Sequence, residues 1–334
     1  MKTPLLSVQR LSVEIRKGNK NVLNAVKDIS FDIYPGEIVG ILGESGCGKS
    51  LTCLSIPGLL TGGVQVSGGS AFFSRNRDRQ DLFTLPEKEL CEIRGKEISM
   101  VFQEPYASLN PLLKIGGQIA ESLYAHGEKD KAAAKRKVLG IIEDLGLEEP
   151  EKLLDAYPHR LSGGMCQRVM IALAMICRPR LLIADEPTTA LDVTVQTQIL
   201  ELMKRINAEY GTSILFVSHD LSVISRLCGR VLVMYAGRLV EEGNAGEVFS
   251  RPDHEYTRGL IGSIPGRDSK GRDLANIPGK VPSIEDKRPP GCPFAPRCRR
   301  AMPVCAAAFP EERVTGENHK VRCIPEAPGG GSHG

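Results

Sequence analysis

Residues 5–40 alternate apolar and polar positions, as in LLSVQRLSVEI and NAVKDISFDIYPGEI. A period of two sends every second side chain to one face, so these stretches predict antiparallel strands. Four short apolar runs follow, each bounded by turn residues: EIVGILG, EISMVFQ, RLLIAD and SILFVSH. Unbroken apolar strands suit a parallel sheet covered on both faces. Helical periodicity fills the intervals, over 115–126, 132–146, 165–178 and 193–209. Strands alternating with helices predict a doubly wound α/β domain. VLVMYAGRLVEEG predicts a hairpin turned at Ala236-Gly237. Beyond about Gly246 the periodicity gives way to Pro, Gly and charge, as in SIPGRDSKGRDLANIPGKVPSIEDKRPPGCPFAPRC. That segment predicts an irregular extension, ending in a disordered tail from about 326.

Composition narrows the class. The chain has 334 residues, 41% hydrophobic and 25% charged, and a net charge of +3. These are ordinary soluble values, and the charge is too small to imply a nucleic-acid partner. No run approaches the ~18 apolar residues that span a bilayer, and the N-terminus lacks an apolar signal core. The expected location is the cytosol, with membrane attachment only through a partner. Ten cysteines in such a chain are not expected to pair.

GESGCGKS, residues 43–50, fits G-x-x-x-x-G-K-[ST] between an apolar strand and a helical run. That context defines a P-loop, whose backbone N–H groups wrap phosphates at a helix N-terminus. The expected cradle is Gly43, Glu44, Ser45, Gly46, Cys47, Gly48, Lys49, Ser50 and Leu51. Lys49 is expected to reach the β and γ phosphates of ATP, and Ser50 to ligate Mg²⁺. RLLIADEP ends a strand in two carboxylates. Asp185 suits holding Mg²⁺, directly or through water, and Glu186, one residue on, suits the group that orients an attacking water, as general base or by hydrogen bonding. Gln103 and His219 stand at two more strand tips. In LSGGMCQRVMIALAM, Ser162, Gly163 and Gly164 open a helix. Glycine weakens a helix start unless something must approach the backbone there, and a hydroxyl with bare amides makes an anion site.

The order P-loop, VFQEP (101–105), LSGGMCQ (161–167), LLIADEP (181–187), ALD (190–192) and VSHD (217–220) resembles the nucleotide-binding subunits of ATP-binding-cassette (ABC) proteins over roughly residues 5–245. The resemblance implies a head-to-tail dimer in which Ser162 and Gly164 of one subunit cap ATP on the P-loop of the other. It implies that Glu186 is the catalytic carboxylate, that His219 contacts the γ-phosphate and that Gln103 senses γ-phosphate and Mg²⁺ near the membrane partner. Asp192 would link the two sites. The family's adenine-stacking aromatic falls here at Ile15.

Only 57 residues lie between Gln103 and Leu161, which fits a transporter's short helical subdomain, at about 104–165. SLNPLLKIGGQIAESL, DEPTTALDVTVQTQIL and PDHEYTRGLIGSIPG resemble dipeptide, oligopeptide and nickel importer ATPases, although the group's usual Pro is Glu255 here. The implied organisation is a nucleotide-binding domain at 1–245 and an importer-type extension at 246–334. Implied partners are a second ATPase subunit, a paralogue or a second copy, two permease chains, and indirectly an extracytoplasmic solute-binding protein. The chain would then sit peripherally on the cytoplasmic face of the membrane. Cys292, Cys298, Cys305 and Cys323 have spacing C-x₅-C-x₆-C-x₁₇-C, with no C-x-x-C pair. The extension resembles that of the group's longer members, which implies a cysteine-ligated [4Fe–4S] cluster, with structural Zn²⁺ or free or redox thiols as alternatives. A rival expectation is a soluble ABC ATPase in iron–sulfur handling or on nucleic acid. It draws on those cysteines and on Lys287, Arg288, Arg297, Arg299 and Arg300.

Overall fold

The computed structural model describes residues 3–18, 21–75, 78–189, 191–263, 277–286 and 290–324. The expected tail from 326, Lys287, Arg288 and Ala190 lie outside them. Twelve strands occur among the described residues. They are β1 (Leu6–Lys17), β2 (Asn21–Ile33), β3 (Ile38–Leu42), β4 (Val64–Arg75), β5 (Asp78–Asp81), β6 (Ile98–Val101), β7 (Leu181–Asp185), β8 (Ser213–Ser218), β9 (Arg230–Tyr235), β10 (Arg238–Asn244), β11 (Arg313–Gly316) and β12 (His319–Val321).

One sheet is antiparallel, in the order β2-β1-β4-β5. The other runs β11-β12-β10-β9-β3-β8-β7-β6. In it β6, β7, β8, β3 and β9 are parallel, and the remaining strands are antiparallel. The predicted parallel core and antiparallel start are both present. Strands β4 and β5 were not anticipated, because glycine and polar residues interrupt their alternation.

Helices fill the connections: α1 (Lys49–Ser55), α2 (Glu87–Ile93), α3 (Pro105–Ser108), α4 (Ile115–Ala125), α5 (Lys131–Asp144), α6 (Pro150–Leu154), α7 (Gly163–Met175), α8 (Val193–Tyr210), α9 (Leu221–Leu227), α10 (Ala245–Ser250), α11 (Glu255–Gly262) and α12 (Pro303–Ala307). The four helices read from periodicity are α4, α5, α7 and α8, with ends within a few residues of expectation.

The pleat divides the core in two. Leu182, Ala184, Ile214 and Phe216 face the helices, among them Val169, Ile171 and Met203. Their neighbours Leu181, Ile183, Leu215 and Val217 face the antiparallel sheet, against Val26, Ile29 and Phe73. Strands buried on both faces therefore carry no polar alternation, the pattern seen in their sequence. Each buried Leu, Ile, Val or Phe among them contributes about 1.5–3 kcal/mol of transfer free energy.

The hairpin falls where expected. Ala236 and Gly237 have φ of +46° and +79°, so both central residues take the left-handed conformation of a type I′ turn. Gly237 is needed there, because a Cβ would lie 2.3 Å from the Ala25 carbonyl oxygen.

The extension is more regular than its composition suggested. Strand β12 pairs with β10 at Glu241↔Val321, and β11 pairs with β12, so the late segment continues the main sheet. Three- and four-residue strands are too short for a readable period, and β12 exists because β10 offers it an edge.

Candidate nucleotide site

The P-loop joins the end of β3 to α1. Gly43 passes so close to β9 that a Cβ would lie 2.3 Å from the Met234 carbonyl oxygen. Gly46 and Gly48 hold φ of +79° and +104°, and Gly48 caps α1 without a side chain. The first N–H groups of the helix are thereby left for a ligand. The β9–β10 turn supports the loop from below, through the Gly237 N–H donating to the Cys47 carbonyl at 2.8 Å. Cys47 is buried, which pushes its thiol pKa up. Leu51 packs partly buried against the core between the sheets.

Lys49 is 4% exposed. Its ammonium donates to the carbonyls of Gly43 (2.7 Å) and Glu44 (3.2 Å) and lies 3.6 Å from Glu186 Oε1. The Ser50 hydroxyl donates to Asp185 Oδ1 at 3.1 Å. Two cis ligands of an octahedral Mg²⁺ with bonds of about 2.1 Å stand about 3 Å apart, so this pair of oxygens fits that ion. Burial pushes the Asp185 carboxyl above its ordinary pKa, opposed by the Ser50 hydrogen bond and by Lys49.

Glu186 sits just past β7 with φ of +46°, a left-handed conformation that costs a non-glycine residue about 1–3 kcal/mol. Its N–H donates to the Val217 carbonyl at 3.1 Å. Its Oε2 accepts from the Thr189 hydroxyl at 3.0 Å and lies 3.0 Å from His219 Nδ1. His219 stands at the tip of β8 with its ring about half exposed. Glu186, His219 and Lys49 therefore converge. Gln103 is exposed at the end of β6, whose Val101 pairs with Ala184 of β7.

Ser162 caps α7, its hydroxyl accepting from the Met165 N–H at 3.3 Å. Gly164 has a packing reason to lack a side chain, because a Cβ would meet Val195 Cγ1 at 2.9 Å. Gly163 faces open space. Asp192 caps α8, accepting from the N–H groups of Thr194 (3.0 Å) and Val195 (2.9 Å). Ile15 is partly exposed near the end of β1, paired with Leu23 and Val64.

Residues 26–189 fit the model of the ABC transporter family, and residues 240–305 fit that of the oligopeptide/dipeptide transporter C-terminal region. The dipeptide transport ATP-binding protein DppD of Bacillus subtilis is 46% identical over 96% of this chain and 94% of its own.

The chain belongs to the ABC transporter ATP-binding proteins of the dipeptide/oligopeptide family.

It is accordingly an ABC-type ATPase. The oligopeptide transport ATP-binding protein OppD of Escherichia coli is 45% identical over 93% of this chain and 90% of its own. Among solved structures, the ATP-binding cassette MJ0796, a dimer bound to ADP and Pi, has a TM-score of 0.63 at 28% identity. It covers 72% of this chain and 98% of its own. CbiO1 of Clostridium perfringens, part of a transporter complex, has a TM-score of 0.63 at 27% identity, covering 78% and 96%.

The extension of this ABC ATPase reaches the P-loop. The Glu44 N–H donates to the Tyr256 hydroxyl at 2.8 Å, and Arg297 donates to both Glu44 carboxylate oxygens at 2.9 and 3.2 Å. Glu44, expected in the phosphate cradle, thus spends its N–H and carboxylate on the extension. Sequence reasoning missed Tyr256 and Arg297, since nothing in their local pattern reports a partner about 210–250 residues away. It also missed Tyr106, whose hydroxyl donates to the Leu161 carbonyl at 3.0 Å and ties α3 to the start of LSGGMCQ.

Cys292, Cys298, Cys305 and Cys323 line one cavity of about 510 Å³, together with His254 and Arg313. The Cys292 N–H donates to the Cys305 carbonyl at 2.7 Å. Burial pushes the Cys292 thiol up to about 11, and raises Cys298 and Cys323 as well. Burial also holds His254 neutral, with its pKa lowered to about 4, while its Nδ1 accepts from the Tyr256 N–H at 3.1 Å.

Glu241, Asp253 and His319 form a separate polar group with donor atoms within 4.8 Å of one another. Glu241 accepts from His319 Nε2 (2.8 Å) and from the N–H groups of Asp253 (2.6 Å) and His254 (3.2 Å). Those bonds pin β12 and the approach to α11 onto β10.

Proposed function

We propose that this chain is the ATP-hydrolysing subunit of a membrane importer for dipeptides or oligopeptides, working at the cytoplasmic face without crossing the membrane. The observation that carries the proposal is near-full-length identity of about 45% to proteins named for dipeptide and oligopeptide transport. No helix among the described residues is long and apolar enough to cross a membrane, and in this reading separate permease chains form the pore.

In this reading residues 1–245 form the nucleotide-binding domain and residues 246–334 the extension. The P-loop amides and Lys49 hold the ATP phosphates. Ser50 and Asp185 hold Mg²⁺, which screens phosphate charge, and Gln103 senses it. Glu186 orients the attacking water and accepts its proton, with His219 beside it to contact the γ-phosphate. Ser162, Gly163 and Gly164 cap the nucleotide of the opposing protomer, and Asp192 joins the two sites. That protomer is a paralogue or a second copy. Phe102, Tyr106, Leu112, Leu113 and Tyr124 are exposed apolar side chains around the Gln103 loop and α4, and they suit docking to a permease. A solute-binding protein then delivers the peptide to the permease.

The test is purification from detergent-solubilised membranes. Two polytopic chains and a second ABC ATPase are expected to co-elute, and the assembly's ATPase is expected to rise with peptide and binding protein. Stimulation by a nickel chelate instead would change the cargo, and recovery free of any membrane chain would sink the proposal. The nucleic-acid alternative is weakened by the fold, because Arg297 is committed to Glu44 and Arg300 lies 3.2 Å from Glu255.

The four late cysteines suit a [4Fe–4S] cluster, whose usual ligands are thiolates. A single tetrahedral Zn²⁺, with Zn–S of about 2.3 Å, draws its sulfurs to about 3.8 Å of one another. Four thiols spread around one cavity suit a larger occupant, with Zn²⁺ as the alternative. Burial raises the thiol pKa of Cys292, Cys298 and Cys323, so ligation there must displace thiol protons. Anaerobically purified protein is expected to contain about four iron and four acid-labile sulfide per chain, values that fall in Cys298→Ser. Stoichiometric zinc without iron would reject the cluster.

A further inference from the structure

Glu44 lies inside the P-loop, yet its polar groups are held by a segment some 250 residues later. Arg297 grips its carboxylate with two nitrogens, at 2.9 and 3.2 Å, and Tyr256 accepts its backbone N–H at 2.8 Å. Both grips are built rigidly. Arg297 is 8% exposed, donates through Nε to the Pro278 carbonyl at 2.9 Å, and through Nη1 to the Tyr235 hydroxyl at 3.3 Å. Tyr256 is fully buried, with its ring 4.6 Å from Tyr235 and 5.5 Å from Phe294. Phe294 and Arg297 both lie between Cys292 and Cys298, so the clamp shares its backbone with the cysteine cavity.

A phosphate cradle works when its amides are already in place. Glycines allow the loop's conformation but also allow others, and selecting one lowers the ordering cost of binding. The bidentate guanidinium–carboxylate pair fixes the start of the loop, and the tyrosine prevents the Glu44 N–H from turning elsewhere.

We propose that Arg297 and Tyr256 are positioning residues for the P-loop, and that the extension sets nucleotide affinity by holding Glu44. The inference rests on the ATPase reading above and adds to it a control point outside the nucleotide-binding domain.

The test uses the full chain, with ATP and Mg²⁺ titrated at equilibrium. Arg297→Met and Tyr256→Phe are each expected to raise Kd about fivefold to tenfold, the effect of losing one hydrogen-bonded restraint. KM is expected to rise in step, with kcat at saturating ATP within about twofold of the parent, because neither residue touches the phosphates. Arg297→Met combined with Glu44→Gln is expected to bind no more weakly than the worse single variant, since both break the same clamp. A merely structural role would lower Tm without that KM-against-kcat split and without the coupling. Tyr256→Phe removes a single oxygen and decides the matter should Arg297→Met fail to fold. Parental Kd in Tyr256→Phe, or additive losses in the double variant, would overturn the inference. Failure of the parent itself to bind ATP would instead overturn the ATPase reading.

Discussion

Glu186→Gln is expected to bind ATP and barely hydrolyse it, with kcat lowered by roughly 10²–10⁴, the contribution of a positioned general base. Glutamine keeps the size of the side chain and an oxygen for the Thr189 hydroxyl and His219, both 3.0 Å from Oε2. The left-handed backbone at φ +46° is unchanged, so the strain stored there is unchanged too. What disappears is the charge that takes a proton from water. Affinity should therefore hold within a few-fold, and the loaded variant should accumulate as a dimer with a second ATPase protomer. Phosphate release and size-exclusion chromatography with ATP check both halves. Turnover at the parental rate would remove Glu186 from its role.

Lys49→Ala is expected to lose affinity rather than turnover alone. The ammonium is 4% exposed and already held by two P-loop carbonyls, so in the proposed role it is in position before phosphate arrives. Charge-assisted hydrogen bonds contribute about 1.5–3 kcal/mol each, and losing two of them weakens Kd by roughly 10²–10⁴. The helix should tolerate the change, because alanine has the best helical propensity. Equilibrium binding with a parallel thermal melt separates lost affinity from lost fold. A parental Kd would mean that Lys49 does not reach the phosphates.

What the sequence disclosed follows from how far each interaction reaches along the chain. The P-loop is written in consecutive residues, because glycines, lysine and serine must adjoin one another to wrap a phosphate. Asp185, Glu186 and His219 were legible because strand ends in a parallel sheet gather on one edge. Glu241, by contrast, lies in VEEG, and only the fold brings His319 to 2.8 Å from it. Tyr256 and Arg297 belong to the same class: a tyrosine in a helix and an arginine in a basic run, neither carrying a local mark of its partner. Gly164 taught a further distinction. Its place at a helix start suggested a ligand, and Val195, 2.9 Å from where a Cβ would stand, supplies an internal reason as well.

The β11–β12 hairpin also decides how the main sheet ends. A bare β10, paired only with β9, would leave the outward-facing N–H and C=O groups of its alternate residues open, a template to which a further strand could add. Strand β12 takes the middle of that edge, at Glu241 and Glu242, with the Arg322 N–H donating to the Val240 carbonyl at 2.8 Å, and outside it lies the four-residue β11, which opens on a positively charged Arg313. The late segment thereby shortens the open edge of the main sheet to which a further strand could add.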